Sequence, residues 1–322
     1  MNSNKSTALR IENLSVVYNP GADEKLAVDS LSLAIEQGEF FALLGPNGAG
    51  KTSVISSIAG LLNVERGSIE VFDSETATKS AKALIGLVPQ EPVHHGFFTV
   101  NQVLKFQSGY HGLWRNQERI NYLLENLQLV KEKNKKVGQL SGGMKRRLGI
   151  AKALVHSPKV LLLDEPSAGV DIELRASLWE FMKKLNKEGM TILLTTHYLE
   201  EAQRLCNRIA IMNEGRLISV DATQELLLMM TERQISILLR SGFAWDISLM
   251  EAKPPGVVSL RKEGSSIELS MSGRCNLRDL LENLSLKIED VVDIQMKEGP
   301  LEHAFLKIVE KDRADSVKKQ LR

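Results

Sequence analysis

An α/β architecture built on a parallel core sheet is what the sequence predicts, and three observations predict it. Four short runs, "FFALLG" (40–45), "ALIGLVPQ" (83–90), "KVLLLDEP" (159–166) and "MTILLTTH" (190–197), are apolar throughout and do not alternate. Strands of that composition are buried on both faces, as they are when helices cover a parallel sheet. Segments of helical character separate the runs, the alternation that βα units require. Lastly, "GPNGAGKT" (45–52) follows the first apolar run and opens a helix-prone segment, a strand–turn–helix unit.

The remaining elements follow in order. "LRIENLSVVY" (9–18), "DSLSLAI" (29–35) and "GSIEVFD" (67–73) alternate apolar and polar residues, the pattern of half-exposed antiparallel strands, so an antiparallel β subdomain is expected beside the core. Residues 97–155 read as an inserted, mostly helical subdomain. Its aromatics Phe97, Phe98, Phe106, Tyr110 and Trp114 are expected chiefly in its core, with some of them lining a groove. Residues 8–222 thus form one domain.

A small α+β domain, 223–313, follows the boundary near Asp221. It comprises a strand "RQISILLR" (233–240), a hairpin "GVVSLRKEGSSIELSM" (256–271) turning at "KEGSS", a helix "NLRDLLENL" (276–284), a strand "VVDIQMKEG" (291–299) and a helix "PLEHAFLKIVEKDR" (300–313). "MEAKPPGVV" (250–258) is too rich in proline for a helix. The polar end, 314–322, reads as a frayed tail.

Composition narrows the function. A chain of 322 residues accommodates about two domains. Lys+Arg at 41 against Asp+Glu at 40 leaves no basic excess for a nucleic-acid partner. Two cysteines, Cys206 and Cys275, are too few for a disulfide framework and are expected as small buried residues. "MNSNKSTALR" lacks the apolar core of a secretory leader, and nowhere do enough uncharged apolar residues run together to span a bilayer. Any work at a membrane is expected to pass through a partner.

The chemistry is concentrated in a few motifs. Gly45, Pro46, Asn47, Gly48, Ala49, Gly50, Lys51 and Thr52, followed by Ser53, satisfy G-x-x-x-x-G-K-[ST] between a buried strand and a helix. Glycines there turn backbone N–H groups onto phosphate oxygens at a helix N-terminus, which favours anions. Lys51 is expected to reach the β- and γ-phosphates and Thr52 to ligate Mg²⁺. Asp164 ends an apolar strand, where ligands bind in α/β sheets, and supplies a carboxylate for the same metal. Glu165 beside it is placed to orient or deprotonate an attacking water. "LSGGM" (140–144) then repeats the logic of a hydroxyl and glycines before a helix, with Ser141 suited to an N-cap. Lys145, Arg146 and Arg147 after it read as a solvated basic face without a role of their own. His94-His95 has no acidic or cysteine partner at ligand spacing, so no metal site is assigned to it.

In order and spacing, "GPNGAGKT", "LVPQE", "LSGGM", "LLLDEP", "SAGVD" and "LLTTH" resemble ABC-type ATPase subunits over about 9–225. The resemblance implies a P-loop NTPase cassette and a head-to-tail pair of subunits. In such a pair Ser141, Gly142 and Gly143 of one copy meet the γ-phosphate held by the other. It further implies that Gln90 touches Mg²⁺ and the water, and that His197 contacts the γ-phosphate. Asp171 would communicate between the two sites and Tyr18 would stack on adenine. "SAGVD" departs from the commoner serine-glycine-leucine-aspartate form. "SAGVDIELR", "TTHYLEEA" and "LEHAFLKIVE" are similar to the bacterial exporter branch for drugs, polysaccharides or lipids, in which a separate membrane permease is the partner. That implies a location at the cytoplasmic face of the cell membrane. An importer's ATPase, and a soluble ATP switch that remodels a macromolecular complex, remain open as alternatives.

Overall fold

The computed structural model describes residues 6–19, 24–91, 96–167, 172–230, 233–242, 245, 255–271 and 276–298, in two compact units, Met1–Val220 and Asp221–Arg322. In chain order the elements up to residue 222 are β1 (Thr7–Tyr18), β2 (Lys25–Glu36), β3 (Phe40–Leu44), α1 (Lys51–Ile58), β4 (Arg66–Val71), β5 (Ser74–Glu75), α2 (Lys79–Ala83), β6 (Ile85–Val88), α3 (Val100–Tyr110), α4 (Gln117–Asn126), α5 (Gly142–Leu154), β7 (Val160–Asp164), α6 (Ile172–Lys187), β8 (Thr191–Thr196), α7 (Leu199–Leu205), β9 (Arg208–Asn213) and β10 (Arg216–Ala222).

The core sheet has the order β10-β9-β3-β8-β7-β6. Pairs β9–β3, β3–β8, β8–β7 and β7–β6 are all parallel. β3, β7 and β8 are buried at every position, which is why their sequences do not alternate. Phe40 and Phe41 are each at most 1% exposed, and burial of a side chain of that size contributes roughly 1.5–3 kcal/mol. Because the strands run in parallel, the carboxyl ends of β3, β6, β7 and β8 share one edge of the sheet.

A second sheet, β2-β1-β4-β5, is antiparallel. Its register places Ile11 opposite both Leu33 and Ile69, and Leu9 opposite Val71. These side chains join Phe41 and Leu43 of β3 and Val54, Ile55 and Ile58 of α1 in one apolar core. Helix α1, and with it the loop that precedes it, is therefore fixed by packing against both sheets.

The inserted segment is helical. Thr99 caps α3 through a capping box with Gln102, and Ser141 caps α5 by accepting a hydrogen bond from Met144 N. Phe97, Tyr110 and Trp114 do not enter its core; they are 87%, 87% and 85% exposed. The core is aliphatic instead, formed by residues such as Val100, Leu104, Ile120, Leu123 and Leu148. Aliphatic side chains on three short helices already fill that space, and the large rings are left outside. Strands β9 and β10, with the turn between them, lie in "RIAIMNEGRLISVDA", a segment the sequence reading did not single out. Its signals were the apolar run "IAIM" and a two-residue turn with positive φ at both Glu214 (48°) and Gly215 (81°).

The second unit contains α8 (Thr223–Met230), β11 (Arg233–Leu239), β12 (Val257–Glu263), β13 (Ser266–Met271), α9 (Leu277–Asn283) and β14 (Val291–Glu298). Its sheet, β12-β13-β11-β14, is antiparallel throughout. One face carries Ile235, Ile237, Leu239, Ile267 and Leu269 against Leu280, Leu281 and Leu284. Trp245 joins this core and satisfies its indole N–H on Leu284 O at 2.8 Å. The helix expected at 300–313, the tail 314–322, His94, His95, Asp171 and Cys275 lie outside the described residues. Cys206 is buried. Among the described residues no helix is long and apolar enough to cross a membrane.

Candidate active site

The site forms where four core strands end. After β3 the chain turns through Gly45 to Gly50 and enters α1. A Cβ at Gly45 would lie 2.5 Å from Met212 O. Gly50 has φ +97°, and a Cβ there would lie 2.3 Å from Ala27 O. Only glycine fits either place, so the loop backbone is pressed against β9 on one side and β2 on the other. Ala49 is buried beneath it.

Lys51 is 5% exposed, and its Nζ donates to Gly45 O at 2.8 Å and Pro46 O at 3.0 Å. Burial lowers its pKa, while Glu165 and then Asp164 oppose that shift. The ammonium thus stands inside the curl of the loop, close to two carboxylates, where an anion's oxygens would meet it.

Asp164, at the end of β7, is 2% exposed. Its Oδ1 accepts from Thr195 Oγ1 at 2.5 Å and from Thr52 Oγ1 at 3.3 Å. A hydroxyl and a carboxylate oxygen so arranged are hard donors and fit Mg²⁺. Among the described residues no group of three His, Cys, Asp or Glu could cage a metal. Mg²⁺ needs none, since it is commonly held by one or two carboxylates together with phosphate oxygens.

Glu165 is the hub of the arrangement. Its Oε1 lies 3.1 Å from His197 Nδ1 and 3.8 Å from Lys51 Nζ, and its Oε2 accepts from Gln90 Nε2 at 3.2 Å. Its backbone has φ +47°, a left-handed conformation that costs an ordinary residue roughly 1–2 kcal/mol. Glu165 N donates to Thr195 O at 3.0 Å and to Thr195 Oγ1 at 3.2 Å, which helps hold that turn. Gln90, Glu165 and His197, from the ends of three different strands, are thereby brought together over Lys51.

A cleft of about 790 Å³ opens from this point, lined by Tyr18, Asn47, Gly48, Gly50, Lys51, Thr52, Ser53, Gln90 and Glu165. Tyr18 Oη and Ser53 Oγ are 3.2 Å apart, so the ring is tied to α1. The sequence reading missed Lys25, Leu26, Glu214 and Gly215 on the wall of the cleft. They come from β2 and the β9–β10 turn, and nothing local in the chain relates them to the glycine loop.

Ser141, Gly142 and Gly143 are not in this cleft. Ser141 and Gly142 are exposed at the N-terminus of α5, and no atom lies within 4 Å of a Cβ built at Gly142. The two glycine-bearing segments are therefore separate within one chain.

The basic run after them departs from expectation. Arg146 is 6% exposed and donates to five carbonyls: Nε to Pro166 O (2.9 Å), Nη1 to Pro89 O (2.9 Å) and Gln90 O (2.5 Å), Nη2 to Asp164 O (3.0 Å) and Glu165 O (2.6 Å). Burial lowers its pKa, and Asp164, Glu201 and Glu165 counter the shift. Arg147 is also engaged, donating to Leu127 O at 3.2 Å. The missed signal was periodicity: Arg146, Gly149, Ile150 and Ala153 share the buried stripe of α5.

On the helical insertion a second concavity, about 660 Å³, is lined by Phe106, Tyr110, Leu113, Trp114 and Ile120, with Lys105 and Arg115 at its edge.

Comparison with known proteins is consistent with this geometry. The model of the ABC transporter family matches residues 28–168. The Nod factor export ATP-binding protein I of Burkholderia thailandensis is 44% identical over 209 residues, covering 64% of this chain and 69% of the relative. The linearmycin resistance ATP-binding protein LnrL of Bacillus subtilis is 33% identical over 309 residues, 93% of this chain and 97% of the relative. A solved dimeric structure of MJ0796, a bacterial ABC transporter cassette, superposes with a TM-score of 0.62 at 25% identity, over 67% of this chain and 98% of that one.

Proposed function

We propose, from the premise that this chain belongs to the ABC transporter family and is one of its ATPases, that two copies close head to tail around two ATP molecules and so drive a membrane permease. The observation that carries this reading is the separation of the two phosphate-binding segments. The loop 45–52 meets Gln90 and Glu165 in one cleft, with His197 against Glu165, whereas Ser141 and Gly142 stand exposed outside it. A second copy supplies what the first one's cleft lacks.

Each residue then has a role. The loop N–H groups and Lys51 hold the triphosphate, and Tyr18 supports the base. Thr52, Asp164 and Gln90 hold Mg²⁺, which when bound neutralises phosphate charge. Glu165 takes a proton from the attacking water, and His197, 3.1 Å away, keeps that carboxylate aimed and contacts the γ-phosphate. Ser141, Gly142 and Gly143 close on the nucleotide of the partner copy, and Asp171 links the two sites. The products are ADP and phosphate.

The aromatic concavity of the helical insertion is the seat for a short helix of the permease. Its rings are exposed and its rim is basic. A chain docked in this way lies at the cytoplasmic face of the membrane. The relatives named for Nod factor export and linearmycin resistance support an outward cargo of the drug, lipid or polysaccharide class.

Glu165→Gln tests the scheme. Turnover should fall by about 10²–10⁴-fold, the loss expected for a general base, while MgATP binding persists and the mass in light scattering doubles. Adding Ser141→Arg to that variant should return it to a monomer that still binds MgATP. A Glu165→Gln chain that stays monomeric at saturating MgATP, or hydrolyses at the parent rate, overturns the proposal.

A further inference from the structure

Arg146 presents all five of its guanidinium N–H donors to five backbone carbonyls, and those carbonyls belong to two of the three segments that carry the hydrolytic side chains. Pro89 and Gln90 follow β6; Asp164, Glu165 and Pro166 close β7. The donor stands on α5, five positions after the Ser141 that caps the same helix. A planar fork with five fixed donors can hold five carbonyls of two chain segments at once; an ammonium, with three donors, leaves at least two of them without a partner.

We propose that Arg146 is a positioning residue for hydrolysis. It fixes the Glu165 carboxylate and the Gln90 amide in register through their backbones and joins them rigidly to the Ser141 segment of the same chain. This rests on the reading of Glu165 as the base and of Ser141 as a contact to the partner's nucleotide. Arg146 itself touches no substrate. Its guanidinium holds the left-handed turn at Glu165, φ +47°, through the carbonyls of residues 164, 165 and 166, and leaves the carboxylate to its own partners. Movement of the N-terminus of α5, when its serine grips a phosphate of the other copy, is thereby passed to the base of its own site. The arrangement gives each chain a direct mechanical link from the site it completes to the site it owns.

The test compares Arg146→Met and Arg146→Lys in the full-length protein. Arg146→Met fills the cavity without donors, and Arg146→Lys keeps a cation but has too few donors for the five carbonyls. kcat and KM for MgATP are measured separately, in the parent and in the Glu165→Gln background. We expect kcat to fall at least 10-fold in Arg146→Met and about 5-fold or more in Arg146→Lys, with KM within 3-fold of the parent. In the Glu165→Gln background the same substitutions should lower the residual rate by a clearly smaller factor than in the parent, because the part of the effect that runs through Glu165 is already lost. If Arg146→Met does not fold, Arg146→Lys carries both comparisons. Parent-like kcat in Arg146→Lys, a loss confined to KM, or an equal fall in both backgrounds each overturns the inference. Failure of Glu165 as the base shows separately, as parent-rate hydrolysis in Glu165→Gln alone.

Discussion

Replacing Gly50 by alanine isolates what the glycine loop contributes to stability and to binding. The native residue has φ +97°, and a Cβ there would lie 2.3 Å from Ala27 O and 3.5 Å from Ala27 C. Two costs follow. The left-handed backbone penalises an L side chain by roughly 1–2 kcal/mol. The overlap is with a backbone carbonyl of β2, which cannot swing aside as a side chain would, so the loop itself must move; overpacking of that kind costs roughly 1–3 kcal/mol. Together the loss is about 2–5 kcal/mol, a large part of the roughly 5–15 kcal/mol by which a domain is stable. Gly48 supplies the control. Its φ is +84°, yet no atom lies within 4 Å of a Cβ built on it, so Gly48→Ala incurs only the conformational cost. Urea unfolding followed by far-ultraviolet circular dichroism gives the stability of each variant, and titration with a fluorescent ATP analogue gives the affinity. Gly50→Ala should be the less stable of the two by at least about 1 kcal/mol and should bind the analogue at least 10-fold more weakly than the parent, because the N–H groups of the loop move with it. Equal midpoints for the two variants would refute the steric argument.

Two further outcomes are expected. Phe106→Ala with Trp114→Ala should leave the ATPase rate of the isolated protein within 2-fold of the parent. The same pair should abolish co-purification of the permease, since each deeply seated aromatic anchor is worth about 2 kcal/mol or more; undiminished capture would remove the concavity as the docking site. The third outcome concerns pH. His156 stacks on His111 at 3.8 Å between centroids, and burial, His111 and Arg119 lower its pKa from 6.5 to about 4 against an opposing hydrogen bond to Ile85 O. The folded value lies below the unfolded one, so the unfolded chain takes up the proton first. Stability is therefore full above pH 6.5 and is lost as pH falls from 6.5 towards 4. A tenfold change in proton affinity is worth about 1.4 kcal/mol, and screening of the half-buried ring reduces the total to roughly 1–2 kcal/mol. Urea midpoints between pH 7.5 and 4.5 should fall less steeply for His156→Gln than for the parent; identical slopes would count against the assignment.

The sequence by itself determined the parallel core, the glycine loop, Asp164, Glu165 and the helical insertion, because each follows from local rules. A short apolar run without alternation, set between helical segments and turn residues, fits a strand buried on both faces. A loop that binds phosphate through backbone N–H groups needs glycines at fixed spacing. Only the tertiary structure decided which groups meet across the sheet. Gln90, Glu165 and His197 are 75 and 32 positions apart along the chain and come within 3.2 Å; the motif order named them, and parallel pairing brings the ends of their strands together. Arg146 looked solvated as part of "KRR" because charge suggests water, yet five carbonyls of chain turns around the sheet ends supply the acceptors that let a guanidinium be buried. The aromatics between 97 and 114 failed the other way: hydrophobicity suggested a core, and shorter aliphatic side chains had already filled it. Periodicity and motif spacing are properties of neighbours in sequence; desolvation and partner supply are properties of neighbours in space, and those are settled only when the chain has closed.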